Sequence, residues 1–299
     1  MPVIRNSGNG KNALNVNLFS SAMLFIISGF MAIAPAQAES PLKREKYSKV
    51  RVLHPNSLPG EGETSHLIGL HIKMQKKWKT YWRRPGDSGV PPFFDWKKSE
   101  NLKSVKILWP APTTLKDPYG SSIGYKGEVV FPIMLEPEDR NKPINVNLVF
   151  GYGACLEICI PEERTLSFQV PGGSKTSFTD HKLLMHFLNR VPKKVKVSQK
   201  VDKVPVVNSV KSALKEKTPY LDLSTTFPDG TKKAEIFIEV SDGFFVADPK
   251  EVAGKSDEKN KTYRIDLTRG DKVSDLIGKT ITVTLVSDIG QSETKWVVQ

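Results

Sequence analysis

Two residues in this 299-residue chain have a type and spacing that call for chemistry: Cys155 and Cys159, its only cysteines. They lie in Gly151-Tyr-Gly-Ala-Cys155-Leu-Glu-Ile-Cys159-Ile-Pro161. Spacing alone leaves three readings open. A structural disulfide is the default in an exported protein, but closing a loop of about five residues stabilises by only ~2 kcal/mol, against ~4.7 for a loop of a hundred. A redox-active dithiol is the second. Fully extended, the two Cα atoms would lie ~13 Å apart, whereas a disulfide needs about 4.4 to 6.8 Å. The chain must therefore turn within Leu156-Glu157-Ile158, as a three-residue hairpin or one helical turn, with neither Gly nor Pro to ease it. A tight ring of that kind favours thiol–disulfide exchange. The third reading is a Cu(I) site on the two thiolates, which makes the alternative function a copper-handling or copper-protecting binding protein. A third ligand would have to come from His54, His66, His71, His181 or His186, of which His66 and His71 are the candidates to approach in the fold. His181 and His186 are five apart and do not share a helix face, so they make no metal site of their own. The sequence calls for no resident cofactor.

The elements that must hold this pair are strands. Apolar residues alternate at Ile68, Leu70 and Ile72, at Val105, Ile107 and Trp109, at Ile144, Val146, Leu148 and Phe150, and at Leu166, Phe168 and Val170. Period-two alternation marks strands with one buried and one wet face. Turns rich in Pro and Gly separate them, as at Arg84-Pro-Gly-Asp87 and Asp117-Pro-Tyr-Gly120. The expected fold over 45–172 is an all-β, immunoglobulin-like antiparallel sandwich carrying the cysteines. Val129–Leu135 contains Pro132, which predicts an edge strand or a bulge. Trp78, Tyr81 and Trp82 read as sandwich core or rim, and Arg83, Arg84 and Asp87 as turn residues.

Past Pro171-Gly-Gly173 the pattern changes. Thr179 is the expected N-cap of a helix over Asp180–Arg190, stopped by Pro192. The segment 173–217 reads as this helix and a basic linker, and 218–299 as a second, smaller β-rich domain without cysteine. Asp248–Lys261 reads as a charged loop. The formal charge is +12, and Lys175–Lys217 holds eleven Lys/Arg against three Asp/Glu. That surplus suits a solvated linker face, or contact with an acidic partner or an anionic membrane surface. No nucleic-acid motif is present, and nucleic acid is not expected as a partner.

The N-terminus reads as a secretory signal peptide over 1–38. Arg5 and Lys11 precede the apolar run Leu18–Ala34, and Ala36-Gln-Ala38 forms the cleavage site. A periplasmic location follows as the expectation.

Four motifs in order add a further indication: Trp78-Lys-Thr-Tyr-Trp-Arg-Arg-Pro-Gly-Asp-Ser-Gly-Val-Pro-Pro92, Trp109-Pro-Ala-Pro112, Gly124-Tyr-Lys-Gly-Glu-Val-Val-Phe-Pro132 and Cys155-Leu-Glu-Ile-Cys-Ile-Pro-Glu162. Together they resemble the N-terminal periplasmic domain of the DsbD family of thiol:disulfide interchange proteins, in its ScsB-like branch. The resemblance covers roughly Val50–Val170. More loosely it reaches Gly243-Phe-Phe-Val-Ala-Asp-Pro249. It implies a thiol:disulfide oxidoreductase component in which Cys159 attacks the partner's disulfide and Cys155 resolves the mixed disulfide. It also implies a membrane reductase or thioredoxin-like domain as electron donor and periplasmic proteins as acceptors. The chain as given carries no multi-span membrane domain, so the donor is expected to be a separate protein. The family shields its cysteines with an aromatic cap loop. By order and spacing that loop falls at Asp117-Pro-Tyr-Gly120, with the usual aromatic position at Pro118. Tyr119 is the expected cap, and Asp117, Pro118 and Tyr125 are its other candidates. Glu157, Glu162 and Glu163 should raise a nearby thiol pKa, with Lys126 the candidate to oppose them.

Overall fold

In the computed structural model the described residues are 47–54, 65–86, 89–117, 120–171, 177–269 and 271–299. The signal peptide expected over 1–38 lies outside them. The described residues belong to one compact unit.

The first half contains β1 (Ser48–Leu53), β2 (His66–Met74), β3 (Lys79–Gly86), β4 (Phe93–Asp95), β5 (Leu102–Ile107), β6 (Thr113–Asp117), β7 (Gly120–Lys126), β8 (Glu128–Pro137), β9 (Ile144–Cys155) and β10 (Cys159–Val170). One sheet runs β1-β2-β8-β5. The other runs β10-β9-β3-β7-β6, with β4 also paired to β9. All these pairings are antiparallel. The inward residues of the two sheets meet in one core that includes Leu70, Ile72, Trp82, Phe131, Ile133, Leu148 and Phe150. The even-numbered residues of β9 point into it, from Ile144 to Ala154, so Gly151, Gly153 and Cys155 belong to the other face. This is the immunoglobulin-like sandwich that the alternation predicts.

β8 departs from expectation. Despite Pro132 it is a central strand, between β2 and β5. The Pro132 carbonyl accepts from the Leu108 amide, just past the end of β5 at Ile107. The N–H and C=O of one residue in an antiparallel strand point to the same side. The donor that proline lacks therefore faces Leu108, the first residue past β5, and the missing bond falls at the end of that pairing.

The helix α1 (Phe178–Leu188) starts two residues before the expected point. Its N-cap is Ser177, whose hydroxyl accepts from the Asp180 amide at 3.1 Å. The sequence Ser177-x-x-Asp180 is a capping signature. Leu184 and Phe187 join the first core.

The expected linker is largely structure. β11 (Lys193–Lys194) pairs in parallel with β18 (Gln291–Val297), and β12 (Val206–Ala213) pairs with β13 (Tyr220–Thr226). The second sandwich therefore begins inside the segment expected to link it, not at residue 218. The reason is the valines: Val195, Val204, Val206 and Val207 are buried while Lys193, Lys194, Lys196, Lys200 and Lys203 face water. The remaining strands are β14 (Ala234–Val240), β15 (Lys250–Glu251), β16 (Asn260–Asp266) and β17 (Thr280–Ser287). They complete two sheets, β11-β18-β17-β14 and β12-β13-β16-β15, around a core containing Leu223, Phe227, Ile265 and Leu285.

His71 on β2 yields a first prediction. It is 3% exposed; its Nδ1 accepts from Arg51 Nε at 3.2 Å and its Nε2 donates to Glu128 at 3.1 Å. Arg51 in turn grips Asp180 of α1 through both carboxylate oxygens. Burial, joined by the Arg51 and Lys73 charges, outweighs Glu128 and lowers the His71 pKa. Burial lowers that of His54 too. The unfolded chain thus binds more protons than the folded one once pH drops below ~6.5, and stability is lost from there downward. Tm should fall between pH 7 and pH 5, and His71→Gln, which can still accept from Arg51, should lessen that fall. A flat wild-type Tm across this window would refute the assignment.

Candidate functional site

The β9–β10 hairpin sets the geometry. Its long, regular register leads to Cys155 and Cys159 as directly opposed residues, with Cα atoms 4.1 Å apart and the two sulfurs joined in a disulfide. Leu156-Glu157-Ile158 is the three-residue connection, with the Leu156 amide donating to the Ile158 carbonyl at 3.3 Å. Of the two turns expected from sequence, the chain takes the hairpin.

The two sulfur-bearing residues differ in access. Cys155 is 1% exposed, whereas Cys159, at the free outer end of the sheet, is exposed. Leu156 and Ile158 at the tip are also exposed, as are Val90 ahead of β4 and Phe93 at its start. Phe93 is the register partner of Gly151. A Cβ on Gly151 would sit 3.0 Å from the Phe93 ring. The reachable sulfur thus adjoins the apolar tip residues Leu156 and Ile158, which face water.

β3 lies on the other side of β9, and Lys79 is the register partner of Cys155. Lys79 and Tyr81 therefore share the outward face with the cysteines, while Trp78, Thr80 and Trp82 point the other way. The Tyr81 hydroxyl donates to Cys159 Sγ at 2.9 Å. Its ring is 2% exposed and runs through a slot of glycines. A Cβ on Gly153 would meet the ring at 3.3 Å and Cys155 Sγ at 3.5 Å, and one on Gly89 would meet it at 2.7 Å. A Cβ on Gly124 would fall on the Thr80 carbonyl, so only glycine lets β7 close against β3 here. Lys79 is 7% exposed; its ammonium donates to Ser122 Oγ at 3.4 Å and lies 6.0 Å from the Tyr81 ring centre.

The expected cap residues fall as follows. Pro118 and Tyr119 lie outside the described residues. Asp117 ends β6 as the register partner of Gly120. Tyr125 is in the core, 4% exposed, donating to the Pro110 carbonyl at 2.8 Å. Burial pushes its phenol well above the ordinary tyrosine range despite Arg83 and Arg190. Among the acidic neighbours, Glu162 is paired with Arg164 at 2.8 Å, and Glu157 and Glu163 face water. Lys126, expected to oppose them, is exposed on β7. The candidate third copper ligands, His66 and His71, belong to β2 in the opposite sheet, and His71 is engaged with Arg51 and Glu128. Among the described residues no group of three or more His, Cys, Asp or Glu is placed to hold a metal.

Tyr81 is buried, as its core-or-rim reading expects, and the sequence points to no role for Lys79. The alternation in Trp78-Lys-Thr-Tyr-Trp82 places both on one face, but only the β3–β9 pairing brings that face to the cysteines. Arg83 and Arg84, read as turn residues, lie inside β3. Arg83 bridges Glu239 and Glu293 of the second sandwich at 2.6 and 2.7 Å. Arg84 donates to the carbonyls of Ile238 and Val246.

Comparison with protein-family models matches residues 50–171 to the family described as thiol:disulfide interchange protein DsbD, N-terminal. Among solved structures, the crystal structure of the N-terminal periplasmic domain of ScsB from Proteus mirabilis is similar with a TM-score of 0.64 at 21% identity. The likeness covers 85% of this chain and 94% of that one, so it extends past the family match into the second sandwich. A search of the curated proteins finds no match.

Proposed function

We propose that this protein, whose residues 50–171 form a DsbD N-terminal-like domain, is a thiol–disulfide exchange module. In this reading it acts in the periplasm, between a separate reductant and acceptor proteins, through Cys155 and Cys159. The observation that carries the proposal is the asymmetry of the pair: Cys159 is exposed, Cys155 is buried, and the two close a ring at a hairpin end.

Exchange proceeds by in-line attack of a thiolate on a disulfide sulfur. A donor's thiolate can reach Cys159 Sγ. The donor–Cys159 bond forms, the Cys155–Cys159 bond breaks, and the electron pair leaves on Cys155. The donor's second thiolate then attacks its own sulfur in the mixed disulfide. The donor departs oxidised and the pair is left reduced, two electrons richer. Passing those electrons on reverses the order: Cys159 attacks the acceptor's disulfide and Cys155 attacks Cys159. The same access difference makes Cys159 the sulfur joined to the partner in both directions, with Cys155 the leaving group when electrons arrive and the resolving thiolate when they pass on.

The test is capture of the stalled intermediate. Cys155→Ser in the native host should accumulate Cys159 in disulfide linkage to its partners, released by dithiothreitol. A redox titration of the wild type should give a potential well above about −300 mV, below which structural disulfides usually lie. A more negative potential together with no captured partner would reduce the pair to a structural staple.

A further inference from the structure

Cys159 opens the outermost strand of its sheet. We infer that the cysteine-bearing segment of a protein partner docks as an added antiparallel strand on the free edge of β10, so that exchange runs through three sulfurs on three neighbouring strands. These are Cys155 on β9, Cys159 on β10 and the partner's cysteine beside it. This rests on the reading of the pair as an exchanging one and says how its partner is held.

The direction of the backbone groups on β10 follows from its neighbour. In an antiparallel strand the N–H and C=O of one residue point to one side, and those of the next to the other. Asn145 of β9 exchanges both backbone bonds with Glu100, at 3.2 and 2.9 Å. Asn147 makes both of its own with the Ser99 hydroxyl, at 3.0 and 3.2 Å. The odd-numbered residues of β9 therefore bond away from β10. Their partners across the β9–β10 register, Gln169 and Ser167, must point their own N–H and C=O away from β9. The register runs without a shift from there to Cys159, so Thr165, Glu163, Pro161 and Cys159 do the same. The 4.1 Å between the Cα atoms of Cys155 and Cys159 agrees, being the closer spacing of a pair without bonds between its strands. Pro161 agrees too, since the donor it lacks belongs on an open edge.

Among the described residues no strand pairs with that edge. β10 is 12 residues long, and its odd-numbered side chains are exposed throughout. A long edge with free donors and acceptors is a template for another chain, and strand addition is a recurrent way to hold an extended peptide. Of the outward carbonyls only that of Glu163 accepts from a described residue, Arg164 Nη1 at 2.8 Å. A carbonyl oxygen has a second lone pair to offer. Past Cys159 the exposed Leu156 and Ile158 continue the surface.

The place of Cys159 selects a redox partner as the occupant. On an added strand the residue opposite Cys159 forms a hydrogen-bonded pair with it, the Cα atoms about 5.5 Å apart. That is the separation a disulfide prefers. Neighbouring strands lie about 4.8 Å apart, and directly opposed side chains share a face. Cys155, Cys159 and the partner's cysteine thus fall on one line across the sheet, the alignment that displacement at sulfur requires.

The test uses the peptide acetyl-Thr-Lys-Thr-Val-Thr-Cys-Thr-amide as its disulfide-linked dimer. With its cysteine opposite Cys159, its lysine falls opposite Glu163. The Cys159 thiolate bonds to one peptide sulfur, the peptide disulfide breaks and its electron pair leaves on the second peptide. Cys155, its proton lost to solvent, then attacks Cys159 and releases the first peptide as thiolate. The pair ends oxidised and the peptide disulfide reduced. Two isomers of the peptide carry two backbone N-methyl groups each. Methylating the valine and the lysine removes donors that face β10, whereas methylating the threonines on either side of the valine removes donors that face water. The first isomer should oxidise the reduced protein about tenfold more slowly than the second, the effect of losing two backbone bonds. Glu163→Pro removes a donor from the open edge and leaves the β9 ladder whole. It should react with the unmethylated peptide about threefold more slowly than Glu163→Gln, which shares its loss of charge. The rate with glutathione disulfide and the equilibrium with glutathione should be the same in both variants. Equal rates for the two isomers overturn the inference. If sedimentation then shows a dimer of the protein that Glu163→Pro disperses, the edge belongs to a second copy. If Glu163→Pro does not fold, the isomers alone decide. A pair that does not react even with glutathione disulfide would count against the exchange reading itself.

Discussion

Cys159→Ser should abolish disulfide exchange with protein partners, and it should also abolish partner capture, whereas Cys155→Ser should lose turnover but keep capture. The two substitutions remove the same atom from the same ring, so a symmetrical pair would respond alike. The difference is expected because the sulfur left behind differs. In Cys155→Ser the remaining thiol is the exposed one, next to the exposed apolar tip residues Leu156 and Ile158. In Cys159→Ser it is Cys155, 1% exposed behind the hairpin. An approaching disulfide must align three sulfurs, and a buried residue offers no such line. Gel analysis of alkylated extracts under non-reducing conditions reads the outcome, with mixed disulfides expected to be at least ten times more abundant for Cys155→Ser. Equal capture by both variants would mean that access does not set the order of attack.

The parts of this site that were legible in the sequence are those that depend on neighbours along the chain. The alternation of Ile144, Val146, Leu148 and Phe150 fixes which face of β9 is buried, and with it the face that carries Cys155. The distance a disulfide demands forces the turn at Leu156-Glu157-Ile158. What could not be read is adjacency between strands distant in sequence. β3 and β9 are separated by β4 to β8 yet lie side by side, and that contact alone brings Lys79 and Tyr81 to the sulfurs. A lysine and a tyrosine on alternate positions are otherwise ordinary surface residues of a strand. The linker failed for a different reason. Lys193–Val210 is dominated by charge, and the few valines that matter, Val204, Val206 and Val207, bury themselves in a sandwich whose other strands come later in the chain. Pro132 shows the limit of a residue rule: the donor that proline lacks faces the end of β5, so this central strand gives up one bond at the margin of a pairing and keeps the rest.

β3 also reaches the second sandwich, which makes Arg83 the position with the largest expected effect on stability. Its guanidinium binds both oxygens of Glu239 from β14, at 2.9, 3.1 and 2.6 Å, and one oxygen of Glu293 from β18 at 2.7 Å. It also stacks over Trp82 at 4.4 Å. The three charged side chains are 25%, 21% and 13% exposed. Burial works against the Arg83 charge, but the hydrogen bonds and charges of Glu239 and Glu293 overcome it and raise its pKa. Arg83→Met keeps the aliphatic stem and leaves two carboxylates facing each other without their cation. Removing one partner of a buried ion pair costs about 3–5 kcal/mol, and partial exposure here sets the expectation at about 3. Restoring neutrality with Glu239→Gln in the same chain should recover part of the loss, a coupling that a double-mutant cycle measures directly. Chemical denaturation at pH 7 is the measurement. Tyr81 lies two residues away on the same strand and the same face, so the glutathione equilibrium of folded Arg83→Met reports whether the second sandwich also holds the redox site in shape. A loss below 1 kcal/mol with an unchanged equilibrium would show that the two sandwiches are joined by their apolar contact at Trp82 and Phe237 and that Arg83 is incidental to it.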